Sequence, residues 1–433
     1  MNPIEVYAYP QYAVMIAILI GCFLAVFNPR MLFFVVFAGV VLTDLRSYAF
    51  TRFEITGPYL NVFDLLVVFG LFSSFLQSRS DRQPIHFLWY IVLADLLLGF
   101  MLSYMQFGLN FDVLRATRAA LNVPLLWFIG YRCINTREDA CTVLYIVLFG
   151  CFIQSVRQCL YVAFSENTDA HSWRTIRFMH AGYVLIPFCF LLSSFSKSVL
   201  LKVFLYASVG VSMVALILTQ TRSFLIPQVL LILIGGWILA RIKLIRFLLP
   251  SAAFLIVSAM IFYYLVPNQV DIADLFLHGR INDFSSGHGR EAAIYQETKV
   301  WLNGNVIFGQ GLGYYYSFEY ANMDEVAWGH NGYTAFLSNL GFFGFVLFGI
   351  LIPRFGLLKS RINWNSNHEE IKLFGLVAGS LVWFLIIESA LTPGLLSGMP
   401  YSLNLIFLGG ASSLANQTIE SHIGVDEAEL ARS

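Results

Sequence analysis

Apolar runs of roughly 16 to 22 residues, close to the length that crosses about 30 Å of hydrocarbon as a helix, recur along the chain between short polar links. The predicted helical spans are 12–27, 31–43, 62–77, 86–104, 119–131, 141–164, 178–195, 199–218, 223–240, 244–266, 333–352, 372–391 and 395–414. One long polar stretch, residues 267–332, interrupts this pattern. The tight link FNPRM between the first two spans suits a kinked or re-entrant hairpin as well as two full crossings. The pattern therefore predicts an all-α, polytopic integral membrane protein with about 12–13 transmembrane helices and one large loop. Its expected organisation is a helical bundle over 1–266, a functional loop over 267–332, C-terminal helices over 333–414 and a disordered polar tail over 415–433, all in one membrane domain.

Composition supports bilayer as the solvent: of 433 residues, 58% are hydrophobic and 12% are charged, about half the roughly 25% charged share of a soluble chain. Lys plus Arg equals Asp plus Glu at 26 each, so no global charge draws the chain to nucleic acid. The first apolar run follows MNPIEVYAYPQY, without a basic region or a small-residue cleavage site, and reads as a retained helix. Six cysteines lie in or beside apolar segments without a C-x-x-C pair, which argues against a disulfide framework or a zinc site.

Basic residues fall on alternate connections: Arg79 and Arg82, Arg132 and Arg137, Lys197 and Lys202, Arg241 to Arg246, and Arg354 to Lys372. The positive-inside rule makes that side cytoplasmic and turns the long loop toward the periplasm or exterior. Arg46, Arg52, Arg115, Arg118, Arg174, Arg177 and Arg222 are expected on the loop's side.

Polar side chains kept by such a chain are where chemistry is expected. GREAAIYQETKVWL has the composition of a short helix that places Arg290, Ile294, Glu297 and Trp301 along one side. The competing reading is an amphipathic segment held at headgroup level by Tyr295 and Trp301. FGQGLGYYY fails as a dinucleotide fingerprint, because its third glycine comes one position early and no strand precedes it; a turn or close backbone approach is expected. His330, where the loop enters the next span, suits a general base or a helix-start hydrogen bonder. Arg157 falls inside an apolar run, and Asp95 is the carboxylate of opposite sign expected to pair with it; a phosphate contact is the alternative. Arg115 with Arg118, and Arg174 with Arg177, each put two guanidinium groups on one face if helical, which suits bidentate phosphate binding or simple snorkelling.

D-x-D, G-x-x-x-x-G-K, H-E-x-x-H and G-x-S-x-G are all absent, which removes weight from nucleotide-sugar, P-loop, zinc and serine chemistry. His278, His288 and His330 have no metal-cluster spacing. The G-x-x-x-G of Gly375 and Gly379 predicts close helix packing.

In order along the chain, R-S-F after an apolar helix, S-G-H-G-R-E, W-L-x-G-N-x-I-F-G-Q-G-L-G, H-N-G-Y and G-F-F-G resemble the O-antigen ligase and polymerase superfamily over about residues 210–350. The resemblance implies a GT-C-like membrane glycosyltransferase, without metal or other cofactor, whose donor is a glycan on undecaprenyl diphosphate. It implies that Arg222 and Arg290 hold the diphosphate and that His330 activates the acceptor hydroxyl. Arg157, Arg115, Arg118, Arg174, Arg177, Glu297 and Asn331 are the further candidates for substrate contact.

Ligases of that superfamily often carry a second histidine just before the H-N pair, where this chain has Trp328 and Gly329. Thirteen spans also exceed the usual twelve. The expectation is a polymerase of lipid-linked repeat units in a bacterial inner membrane, with its site facing the periplasm. The rival is a ligase that passes glycan to lipid A core. A transporter or flippase using Asp95, Arg157 and Glu388 is the alternative from another class. Expected partners are the lipid-linked donor, a glycan or lipid A-core acceptor, membrane lipids, a chain-length regulator and a flippase.

Overall fold

The computed structural model describes residues 16–42, 62–77, 85–109, 111–164, 188–193, 196–219, 241–265, 285–312, 316–318, 323–326, 331–390 and 402–430. Its helices are α1 (16–24), α2 (Pro29–Leu42), α3 (Val62–Leu76), α4 (Phe87–Phe107), α5 (Phe111–Cys133), α6 (Arg137–Phe164), α7 (188–193), α8 (Val199–Thr219) and α9 (Arg241–Leu265). They continue with α10 (Ser285–Asn303), α11 (Gly332–Val346), α12 (Ile352–Trp364), α13 (Glu369–Ser389) and α14 (Ser402–Leu430). A π-helical turn, Leu347–Leu351, joins α11 to α12.

The protein is all-α and polytopic, as its composition requires: five helical segments among the described residues are long and apolar enough to cross a bilayer, and three shorter apolar helices accompany them. In lipid, a helix satisfies its own backbone groups, which is why the apolar runs adopt this form. One small exception is an antiparallel pair of strands inside the polar stretch, β1 (Tyr316–Phe318) and β2 (Met323–Val326). At three and four residues, these strands are too short to leave a period in the sequence.

Several boundaries differ from the sequence expectation. The span expected over 119–131 is the longer α5, which takes in Arg115 and Arg118. The span expected over 333–352 continues as helix to Trp364. Helix α14 runs to Leu430, past residue 415, where a disordered tail was expected to begin. The span expected over 223–240 lies outside the described residues.

Glycines let the helices meet backbone to backbone. At the crossing of α5 and α14, a side-chain carbon on Gly130 would collide with the carbonyl of Ile406, and one on Gly409 with the carbonyl of Trp127. Gly375 of α13 packs in the same way on Ser360 and Asn363 of α12, as its G-x-x-x-G spacing predicts. Trp127 is fully buried beside this crossing, its ring 5.5 Å from Phe355.

The FNPRM link is the corner of an antiparallel helical hairpin, with Gly21 against Val35 and Gly39 against Ile18. Arg30 pins that corner to the start of α6 through Asp139 at 2.8 Å and Glu138 at 3.1 Å. Asp139 in turn accepts from the Thr136 and Asn135 amides, at 2.9 and 3.2 Å.

Candidate functional site

The polar stretch is built onto the bundle by α10 and α11. Helix α10 forms where GREAAIYQETKVWL predicts one, and buries Glu297 completely against α11. There the Thr334 hydroxyl donates a short hydrogen bond to Glu297 Oε2. Glu297 and Arg290 are two helical turns apart on one side of α10, so the buried carboxylate sets the rotation of the helix that carries Arg290.

Asn331 caps α11. Its Oδ1 accepts from the Tyr333 and Thr334 amides at 2.9 and 3.3 Å, satisfying donors that no helical carbonyl can reach. Its Nδ2 donates to the Ala390 carbonyl at 3.0 Å, and the Tyr333 hydroxyl donates to Ile386 O at 2.8 Å. Both bonds tie the entrance of α11 to the end of α13. Asn331 and Thr334 thus join three helices at one point, and His330 immediately precedes that point in the chain.

Below this junction, the glycine segment is stitched into α11. Gly341 has φ 69° and ψ −166°, a backbone that breaks the helix. Two helical hydrogen bonds are lost there, which frees the amides of Phe342 and Phe343 and the carbonyls of Ser338 and Asn339. The segment after α10 takes up all four. Phe342 and Phe343 N–H donate to the Val306 and Ile307 carbonyls at 2.9 and 3.1 Å, and Gln310 and Gly311 N–H donate to Ser338 and Asn339 O, both at 2.9 Å.

The next amide, Leu312 N–H, donates to Gly99 O of α4 at 3.1 Å, and the Ser103 hydroxyl donates to Leu312 O. Gly309 and Gly311, at φ 71° and 94°, allow this approach. FGQGLG is therefore a close backbone contact, as its spacing predicts.

Among the arginine candidates, Arg118 pairs with Asp64 of α3 at 3.3 Å. The expected ion pair between Arg157 and Asp95 is not formed: Asp95 is buried with its Oδ2 unbonded. The reason is helix neighbourhood. Helix α4 packs on α5 and α11, whereas α6 packs on α2, α8 and α13. Arg115 and Arg290 lie on α5 and α10, with their side chains outside the described atoms. Arg174, Arg177, Arg222 and His330 lie outside the described residues, as do His278 and the side chains of His288 and Glu388. Among the described residues, no group of three or more His, Cys, Asp or Glu side chains could hold a metal ion.

Sequence reasoning missed Thr334, Gly99, Ser103 and the stitched kink. Only the G-F-F-G at Gly341 hinted at the last. Residues 207–349 match the family model described as O-antigen ligase, and this bears out the resemblance to the O-antigen ligase and polymerase superfamily over that stretch. The matched segment contains α9, α10, the stitched loop and α11. No curated protein matches the chain.

Proposed function

We propose that this membrane protein of the O-antigen ligase and polymerase superfamily is an enzyme that joins repeat units of a glycan carried on undecaprenyl diphosphate. In this reading His330 takes the proton of the acceptor hydroxyl as its oxygen attacks the anomeric carbon. The bond from that carbon to the carrier diphosphate breaks on the opposite face, so configuration inverts. Arg222 and Arg290 hold the departing diphosphate with charge-assisted hydrogen bonds and remain protonated at any relevant pH. The amino end of α11, two residues after His330 in sequence, carries a partial positive charge. The carrier supplies the activated leaving group, so a base, fixed positive charge and positioning suffice without a metal.

The observation that carries the reading is the Glu297–Thr334–Asn331 junction. It fixes the helix bearing Arg290 against the helix entrance that follows His330. Arg290, implied by the resemblance, is thereby borne on a helix locked to the element that His330 precedes in sequence. The site is read as facing the periplasm from the inner membrane, because basic residues mark the other side.

The glycan of a deletion strain tests this. Loss of a polymerase leaves the acceptor capped by a single repeat, and loss of a ligase leaves it bare. The description of the matched family favours the ligase as second reading, whereas Trp328 and Gly329 in front of His330 favour the polymerase. His330→Ala and Arg290→Ala are each expected to abolish product without reducing membrane insertion. Wild-type glycan length in either variant removes that residue from the site.

A further inference from the structure

We infer that residues 305–312 form a re-entrant element that lies within the bilayer, and that its outward side chains are covered by lipid acyl chains. This inference is independent of the reaction assigned above. The depth is marked on two helices separately. Leu312 is bonded to Gly99, which lies two turns inside the Phe107 end of α4, about 12 Å along its axis. The kink at Gly341, where Val306 and Ile307 are bonded, lies more than two turns inside the start of α11 at Gly332, about 14 Å along. The loop that leaves α10 therefore descends alongside the bundle as far as Leu312.

Irregular backbone at that depth requires polar groups to find partners inside the protein, and most of the segment's amides do so. The amides of Gly309, Gln310, Gly311 and Leu312 all donate to protein carbonyls, and those of Ile307 and Phe308 donate to Asn305 Oδ1 at 3.1 and 3.0 Å. The Val306 carbonyl accepts from Trp301 Nε1 at 2.8 Å as well as from Phe342 N–H.

Apart from Asn305, the exposed side chains of the segment have the opposite character. Ile307 is 59% exposed and Val306 41%, beside Phe342 at 54% and Phe343 at 42%. At the same level, α4 exposes Leu97, Leu98 and Met101. An apolar exterior at matching depth on both helices is what hydrocarbon solvent selects, and a water-filled vestibule would not require it.

The test uses the full chain in proteoliposomes. Cys141 and Cys159, the two cysteines that are not fully buried, are replaced by alanine, and a nitroxide is attached at Ile307→Cys. Lys299→Cys, at an exposed charged position on α10, is the reference. Oxygen, which partitions into lipid, is expected to relax the Ile307 label several-fold more than a water-soluble nickel chelate does, with the ratio reversed at Lys299. Val306→Cys should behave like Ile307→Cys. Equal access of the nickel chelate to positions 307 and 299 would place the segment in water and overturn the inference.

Discussion

Replacing Gly341 with alanine tests the stitched kink directly. At φ 69° and ψ −166° the residue occupies backbone space that is essentially glycine-only, so a side chain there costs about 1–3 kcal/mol. The added carbon would also collide with the Ile307 carbonyl, so the two segments must separate. Separation puts at risk the bonds from Phe342, Phe343, Gln310 and Gly311, each worth about 0.5–1.5 kcal/mol net. If α11 straightened, it would recover two helical bonds but expel the loop. The expected loss is therefore about 3 kcal/mol or more for the α11–loop unit.

Gly379→Ala is the control. Its new carbon would sit 3.4 Å from Ser360 Cβ, an ordinary contact, and alanine is the better helix former by about 0.5–1 kcal/mol. Surviving monodisperse protein is measured by size-exclusion chromatography after a temperature series in detergent, alongside limited proteolysis between residues 304 and 312. Gly341→Ala should melt well below the wild type and be cut in that segment, whereas Gly379→Ala should melt at or above it. Wild-type stability and protease resistance in Gly341→Ala would refute the account of the kink.

Thr334→Val removes a hydrogen bond from a carboxylate that is fully buried, at an expected cost of about 1–3 kcal/mol, and Thr334→Ser should restore most of it in the same thermal series. Asn331→Ala should cost about 0.5–2 kcal/mol through the lost cap, while Asn331→Asp keeps the acceptor and loses only the bond to Ala390; comparing their melting midpoints separates the two contributions. His86, just ahead of α4, has its pKa lowered by burial and, to a lesser degree, by the positive charge of Lys359 on α12. With the folded value below the unfolded one, its contribution to stability is complete above about pH 6.5 and is lost as pH falls through the depressed value. Melting midpoints of the wild type should therefore fall on acidification through that range more than those of His86→Gln, and parallel curves would exclude His86 as a source.

Much of this architecture was legible because lipid leaves a chain few options. Long apolar runs must be helices, and GREAAIYQETKVWL forms α10 where its composition predicts. The glycines of FGQGLG signalled a close backbone approach, although not to which partner. Helix adjacency was not legible, since in a bilayer the outward faces are as apolar as the inward ones and periodicity says little about which side is buried. Charge alone paired Arg157 with Asp95, whereas packing placed α4 and α6 against different neighbours. Spacing gave Glu297 the same standing as Arg290. Only the docking of α10 on α11 decided that this carboxylate points inward to Thr334, because that contact joins residues 37 apart in the chain and no local pattern encodes it.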